Sequence, residues 1–272
     1  MEFEKMRAYG LLEEVKKDAL RKVDGMKPDR LVYVLIQKLI SLHRLARAEG
    51  LLALEEAVHE LPPEFAKLPY LTRGIAEYVI TGIDPDLVVE MLETEYWAKN
   101  PQGMEALIFY ICIRGIMDIQ SGQNSPHVLE LLLKSVLTEE GRAEYERYKE
   151  EEGLAIKPKT PREELEETDL QFHTKGKILR NTLEEMLAHV PDDILKKAVC
   201  KMKNEHESDL ELAVKGLSSD YRKRLFSCMP EAWQDQTCED IAYIGPVRAV
   251  DIEDVFVCLI DCMERISGES RR

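Results

Sequence analysis

Long hydrophobic runs are absent from this chain of 272 residues. A helix that crosses a bilayer needs about 20 consecutive apolar residues, and the most apolar stretch, 31–40, is interrupted by Tyr33, Gln37 and Lys38. Residues 1–5 carry more acidic than basic side chains, and no apolar segment follows them. We therefore expect no membrane span, no export signal and a cytoplasmic location.

Glycine, proline and aromatic residues are also scarce, with 14 Gly, 12 Pro and 7% aromatics. Because 44% of the residues are hydrophobic and 33% are charged, the composition is that of a folded globular protein and not of a disordered one. The length allows two domains of about 150 residues each. A formal net charge of -15 repels phosphate backbones, so we expect no nucleic-acid binding.

The residue patterns of metal and catalytic sites are missing as well. The six cysteines form no C-x-x-C pair and no Cys/His cluster with zinc-like spacing. Cys258 and Cys262 are one helical turn apart, but two thiolates alone make a poor structural metal site. The histidines lack the H-E-x-x-H spacing, and Gly176-Lys177 lacks the rest of a phosphate-binding loop. We expect no metal, no cofactor and no enzymatic activity.

Helical patterns occupy almost the whole chain, and no segment reads convincingly as a strand. Residues 31–46 repeat apolar side chains at three- and four-residue spacing, as a helix with a wide buried face does. Three further helix starts are marked by a capping residue followed by proline, at Asp84-Pro85, Ser125-Pro126 and Thr160-Pro161. The predicted fold class is all-α.

Two similar segments suggest an internal repeat in the N-terminal half. Arg73-Gly74-Ile75 precedes Pro85 by 12 residues, and Arg114-Gly115-Ile116 precedes Pro126 by the same number, which gives a period of 41. Such a period is typical of stacked helix pairs. With two copies, coincidence of common helix-loop-helix composition is the alternative.

Residues 141–174 are polar, charged and interrupted by proline, as interdomain connections are. We expect extended backbone over 157–161, because residues before proline avoid the helical region. The predicted organisation is a stacked-helix region at 1–150, a linker at 151–176 and a second helical domain at 177–272.

The second domain carries a distinctive charge pattern. The acidic pair Glu239-Asp240 lies near the end of one helix, and the step 245–248, Gly-Pro-Val-Arg, stops that helix before the next begins at Asp251. Thirty residues before Gly245 lies the sequence Ala213-Val214-Lys215-Gly216. With these motifs in this order, residues 177–268 resemble the C-terminal domain of FliG, the rotor switch protein of the bacterial flagellar motor.

The resemblance implies a domain of six or so helices with a charged ridge that meets the stator. By position, the ridge residues are Lys215, which the resemblance places at a buried edge, and Glu239, Asp240 and Arg248. Ala232 stands near the place where the family has a basic residue. The apolar residues that helical periodicity assigns to the core of this domain are Leu212, Val214, Leu225, Phe226, Ile241, Val247, Val255, Phe256 and Leu259.

A second resemblance covers residues 30–97. The stretch 44–55, which contains Arg47, Gly50 and Glu55, together with residues 80–88, is similar to the cytoplasmic loop of MotA, the stator subunit of the same motor. It implies that Arg47 and Glu55 face the rotor. MotA's membrane helices have no counterpart here, so the chain is not expected to be an ion-driven stator.

The two resemblances bring together charges that are complementary by type. Arg47 matches the acidic pair Glu239 and Asp240, and Glu55 matches Lys215 or Arg248. We therefore expect a non-enzymatic protein that binds flagellar rotor or stator proteins, or itself, at the periphery of the basal body and bears on torque or motility. The alternative is an α-helical scaffold or adaptor with a FliG-like fold and no motor role, in which these charges are solvated surface.

Overall fold

A computed structural model describes residues 2–122, 124–154, 159–205 and 209–269 of the chain. In these residues it contains fifteen α-helices, one 3-10 segment, one π-helical segment and no strand. The predicted all-α class is confirmed. None of the helices in this part of the chain is long and apolar enough to cross a membrane.

The chain divides into two compact units. The N-terminal unit comprises Met1–Ala46 and Ala53–Pro158, and the C-terminal unit comprises Arg47–Leu52 and Lys159–Arg272. The short segment Arg47–Leu52, which the sequence places in the N-terminal region, thus belongs structurally to the C-terminal unit.

The N-terminal unit is built around α6, which is buried over most of its length. Helices α1 and α5 pack against α6, and Tyr70 stacks on Phe109 of α6 with ring centroids 3.8 Å apart. Its elements are α1 (Glu2–Lys22), α2 (Arg30–Glu49, whose last three residues belong to the other unit), α3 (Ala53–His59), a 3-10 segment (Pro63–Lys67), α4 (Pro69–Arg73), a π-helical segment (Gly74–Val79), α5 (Pro85–Lys99), α6 (Met104–Ser121), α7 (Pro126–Lys134) and α8 (Glu139–Glu151).

The three predicted proline-marked helix starts are confirmed. Asp84 accepts a hydrogen bond from the backbone N–H of Asp86 at the start of α5, and the Ser125 hydroxyl accepts one from Val128 in α7. Thr160 forms a capping box with Glu163. These side chains satisfy backbone donors that the first turn of a helix leaves open.

The two Arg-Gly-Ile steps differ in local structure. Gly74 opens the π-helical segment, whereas Gly115 lies within α6. A Cβ atom added at Gly74 would lie 2.6 Å from Ile116 Cδ1, and one added at Gly115 would lie 2.6 Å from Leu39 Cδ1. Both glycines therefore permit close packing between elements, while the 41-residue repeat stays a prediction.

The C-terminal unit is organised by α15, which packs against α10, α11 and α12. The nine predicted core residues lie in or against its apolar core, with Leu212 and Phe226 partly buried at its edge. Its helices are α9 (Pro161–Glu166), α10 (Thr174–His189), α11 (Asp192–Glu205), α12 (Asp209–Gly216), α13 (Ser219–Ser227), α14 (Glu231–Ile244) and α15 (Ala249–Glu269).

The second half of the predicted linker is part of this unit. Leu165 of α9 and the following Leu170 and Phe172 are buried in the core, because their apolar side chains find partners on the C-terminal helices. The expectation of extended backbone at 157–161 falls partly outside the described residues; Thr160 is extended, with φ -71° and ψ 156°.

Candidate functional site

The Gly-Pro turn (residues 245–248) connects α14 to α15. Gly245 has φ 69° and ψ -151°, a backbone conformation that only glycine adopts without strain. Gly245, Pro246 and Val247 are buried, and Arg248 is exposed. The turn therefore directs its single charged side chain outward while its other residues pack inward.

Lys215 of α12 holds this turn from the inside. Its side-chain amine donates a hydrogen bond to the Gly245 carbonyl oxygen, and the residue is only 3% exposed. The next residue, Gly216, lets α12 approach α15 closely, since an added Cβ would lie 2.4 Å from Ile252 Cγ2 and 2.7 Å from Phe256 Cζ. The close approach encloses the lysine that the resemblance placed at the buried edge of the charged ridge.

Arg47 lies in the same interior region. Its side chain, 10% exposed, forms a 2.8 Å ion pair with Glu164 of α9. The guanidinium also donates to the Ala242 carbonyl oxygen of α14 at 2.8 Å. Arg47 thus binds a backbone carbonyl group in the last turn of α14, and Lys215 binds the carbonyl group of the residue that follows the helix.

The neighbours of Lys215 disfavour its charged form. The pKa of Lys215 is lowered from 10.5 to about 7; burial is the main cause, Arg47 and Arg222 contribute to the lowering, and Glu164 opposes it. We call these four residues the buried basic cluster (Arg47, Glu164, Lys215 and Arg222). Because this cluster contains three basic groups and one carboxylate, it favours the neutral form of the Lys215 amine at pH values above about 7.

Arg222 is the member of the buried basic cluster that sequence reasoning missed. It donates to the carbonyl oxygens of Leu165 and Thr168, both at 2.5 Å, and to that of Val214 at 3.1 Å. Burial lowers its pKa to about 10. Arg222 therefore connects the end of α9 and the segment after it to α12. In the sequence its basic neighbours Lys223 and Arg224 suggest an exposed position instead.

Backbone pairing explains why Arg47 belongs to the C-terminal unit. The N–H of Asp169 donates to the Ala48 carbonyl, and the N–H of Gln171 donates to the Glu49 carbonyl, both at 2.9 Å. Gly50 follows with φ 86°. The sequence predicted that Arg47 lies on an exposed, stator-like face. That prediction is wrong, because these contacts enclose the Arg47 side chain.

The remaining ridge residues are accessible. Glu239 is exposed, and the Asp240 side chain, 37% exposed, lies 3.8 Å from Lys203. Arg248 is 57% exposed at its side chain and forms a bidentate pair with Asp251 at 2.8 and 3.0 Å. Lys215 supports the turn from inside and, unlike these three residues, is not accessible.

Tyr243 adds an exposed aromatic ring that sequence reasoning did not single out. It is 76% exposed and lies one helical turn after Glu239 on α14, so the two share a helix face. The spacing alone could have placed it there, because Ile241 on the same helix is buried. We call Glu239, Asp240, Tyr243 and Arg248 the exposed corner.

The C-terminal unit matches a known domain over most of its length. Residues 163–269 match the family model of the FliG C-terminal domain. The resemblance predicted for residues 177–268 is thereby confirmed, and the match begins earlier, within the predicted linker. The early start agrees with the packing of Leu165 into the core of this FliG-like unit.

Other comparisons add nothing to this match. No curated protein and no solved structure matches the chain significantly. The resemblance of residues 30–97 to the MotA loop gains no support. Glu55, the second residue of that resemblance, is exposed on α3 of the N-terminal unit.

Proposed function

We propose that the protein is a non-enzymatic flagellar motor protein that binds rotor or stator proteins at the basal body through the exposed corner. The match of residues 163–269 to the FliG C-terminal domain carries this proposal. The surface placement of Glu239, Asp240 and Arg248 supports it, because a recognition role requires side chains that a partner can reach.

The exposed corner rests on a fixed base. Lys215 binds the Gly245 carbonyl and Arg47 binds the Ala242 carbonyl, so both the end of α14 and the turn after it are tied to the interior. A surface held in its binding conformation loses little conformational entropy when a partner binds. We assign Lys215 and Arg47 to positioning this surface rather than to contacting the partner.

Exposed ion pairs contribute about 0 to 1 kcal/mol each and are screened by salt. Charges such as those of Asp240 and Arg248 therefore select the partner and set its orientation more than they supply affinity. Tyr243, with its ring exposed, is the residue type that most often supplies affinity at the centre of an interface.

The test is a titration of the full-length protein with purified rotor and stator proteins from its own source, at low and at high salt. The variant Asp240→Lys changes the exposed corner, and Asp220→Lys is its control, because Asp220 is an exposed aspartate on α13 and gives the same change in net charge. We expect Asp240→Lys to weaken binding about tenfold, or about 1.4 kcal/mol, and Asp220→Lys to leave it unchanged.

Salt dependence provides the second readout. Binding by the wild type should weaken as salt rises, and binding by Asp240→Lys should depend less on salt because one charge contact is lost. Absence of binding to every rotor and stator protein would refute the motor role and favour a FliG-like scaffold. Equal effects of the two variants would instead refute the location of the binding surface.

A further inference from the structure

Helix α5 of the N-terminal unit carries an apolar stripe that the fold leaves uncovered. Leu87, Met91, Thr94 and Ala98 follow one another at four- and three-residue spacing, which places them on one helix face; all but Thr94 are apolar. Leu87 is 54% exposed and Met91 is 40% exposed. Isolated exposed apolar residues are ordinary, but a stripe of them along one helix is a binding feature.

The stripe forms one side of an open groove of about 650 Å³. Tyr78 lines the groove from the π-helical segment, where the N–H groups of Ile80 and Ile83 bind the carbonyl groups of Ile75 and Tyr78, each five residues earlier. Such π turns are rare and recur at functional sites. Here the segment with the wider turn contributes Tyr78, which lines the groove together with Leu87 and Met91.

Carboxylates flank the stripe on both sides. Glu90 and Glu95 both line the groove, and their positions on α5 place them on opposite sides of the line through Met91 and Thr94. Arg73 pairs with Glu95, whereas Glu90 is exposed. The Glu90 charge reaches the helix interior, since the pKa of buried Glu93 is raised to about 7 by burial and, secondarily, by Glu90.

We propose that this groove binds an amphipathic helix that has an apolar face and basic flanking residues. Helices dock in apolar grooves through side chains at three- and four-residue spacing, which is the spacing of the stripe itself. Lysine or arginine beside that face would meet Glu90 on one flank, whereas Glu95 on the other flank is paired with Arg73, which also lines the groove. The exposed Glu90 and the chain's net charge of -15 disfavour anionic membranes as the ligand.

This surface is independent of the exposed corner, because its residues lie in the N-terminal unit. The chain has two tryptophans, and one of them, Trp97, is 49% exposed on α5 beside Ala98. In a Trp233→Phe background, Trp97 is the single tryptophan; it does not line the groove but lies on the same side of α5 as Glu90, so it reports a ligand that reaches that flank. The full-length protein can therefore be titrated by fluorescence.

The probe is an 18-residue synthetic peptide of leucine and lysine, with leucines at positions i, i+3, i+4 and i+7. Its control has the same composition in an order that forms no apolar face. We expect a saturable change in Trp97 fluorescence with the amphipathic peptide and no saturation with the control. Equal responses to both peptides would overturn the proposal, because they would show attraction to net charge alone.

Variants locate the site. Met91→Lys should weaken peptide binding at least tenfold, because it puts a charge into the apolar stripe, and Glu90→Lys should weaken it severalfold. Leu131→Lys is the matched control for Met91→Lys, since Leu131 is 44% exposed on α7 and outside the groove. Full affinity in Met91→Lys, or an equal loss in Leu131→Lys, would overturn the proposal. The variant Asp240→Lys should bind the peptide normally, so failure of the motor role and failure of the groove are distinguishable.

Discussion

Replacing Lys215 by methionine should change how the stability of the C-terminal unit depends on pH. In the folded protein burial lowers the pKa of Lys215 to about 7 from 10.5. Between these two values the unfolded chain holds a proton that the folded chain lacks. The free energy of unfolding therefore gains a contribution that rises with pH across this window.

The size of the contribution follows from the pKa shift. One pKa unit corresponds to about 1.4 kcal/mol, so enclosing a protonated Lys215 costs about 5 kcal/mol below pH 7. Between the folded-state pKa and 10.5 this cost shrinks steadily as pH rises, and above 10.5 it is gone because the amine is neutral in the folded and the unfolded chain alike. Methionine has nearly the same length and no charge, but it leaves the Gly245 carbonyl without the lysine donor, at a cost of about 1–3 kcal/mol.

At pH 9.5 the C-terminal unit of Lys215→Met should consequently be less stable than that of the wild type. This difference in stability should shrink as pH falls. The difference in unfolding free energy between variant and wild type should move in the variant's favour by about 1.4 kcal/mol per pH unit from 9.5 to 7. Urea unfolding followed by Trp233 fluorescence in a Trp97→Phe background measures the C-terminal unit, to which Trp233 belongs.

The control is Lys223→Met, because the Lys223 side chain is 72% exposed. Its stability should follow that of the wild type at every pH. Parallel curves for the wild type and Lys215→Met would refute the reasoning, since they would mean that the amine keeps its ordinary pKa and is reached by water.

Two further substitutions test the packing of the C-terminal unit. Gly216→Ala should lower the unfolding free energy by about 1–3 kcal/mol, because the new Cβ would lie 2.4 Å from Ile252 Cγ2. The control is Gly268→Ala, which has nothing within 4 Å of the added atom and should be neutral or stabilising by up to about 1 kcal/mol. Equal losses of unfolding free energy in Gly216→Ala and Gly268→Ala, measured by urea unfolding, would contradict this account. Arg222→Met should cost about 3 kcal/mol or more, because it leaves four carbonyl groups without their charged donor, whereas Lys223→Met should cost almost nothing. A small loss in Arg222→Met, measured the same way, would show that water replaces the guanidinium.

Local chemistry made the helix starts predictable. Asp84, Ser125 and Thr160 cap helices whose first residue is proline, and both requirements are written in neighbouring residues. The inward face of the C-terminal helices was predictable for the same reason, since periodicity alone places Phe256 and Leu259 in the core. The resemblance to FliG supplied the order of motifs in this unit.

The burial of the basic residues was not predictable from local pattern. Lysine and arginine are surface residues by composition, and the enclosure of Lys215 depends on how closely α12 approaches α15. Gly216 is the one neighbouring hint of that approach, and a single glycine has many explanations. Arg47 depends on Glu164, which is 117 residues away, so no local spacing could have related them.

Because the C-terminal unit includes the six residues Arg47–Leu52, its folding depends on a segment that is synthesised long before the rest of the unit. They leave the ribosome more than a hundred residues before Glu164 and Gln171, which they contact. Contacts of such separation close large loops and form late in folding. A fragment beginning at Lys159 would lack the carbonyl acceptors of Ala48 and Glu49 and the cationic partner of Glu164. The end of α14 would consequently keep the hydrogen bond from Lys215 but lose the one from Arg47. Such a fragment should bind partners less tightly than the intact chain.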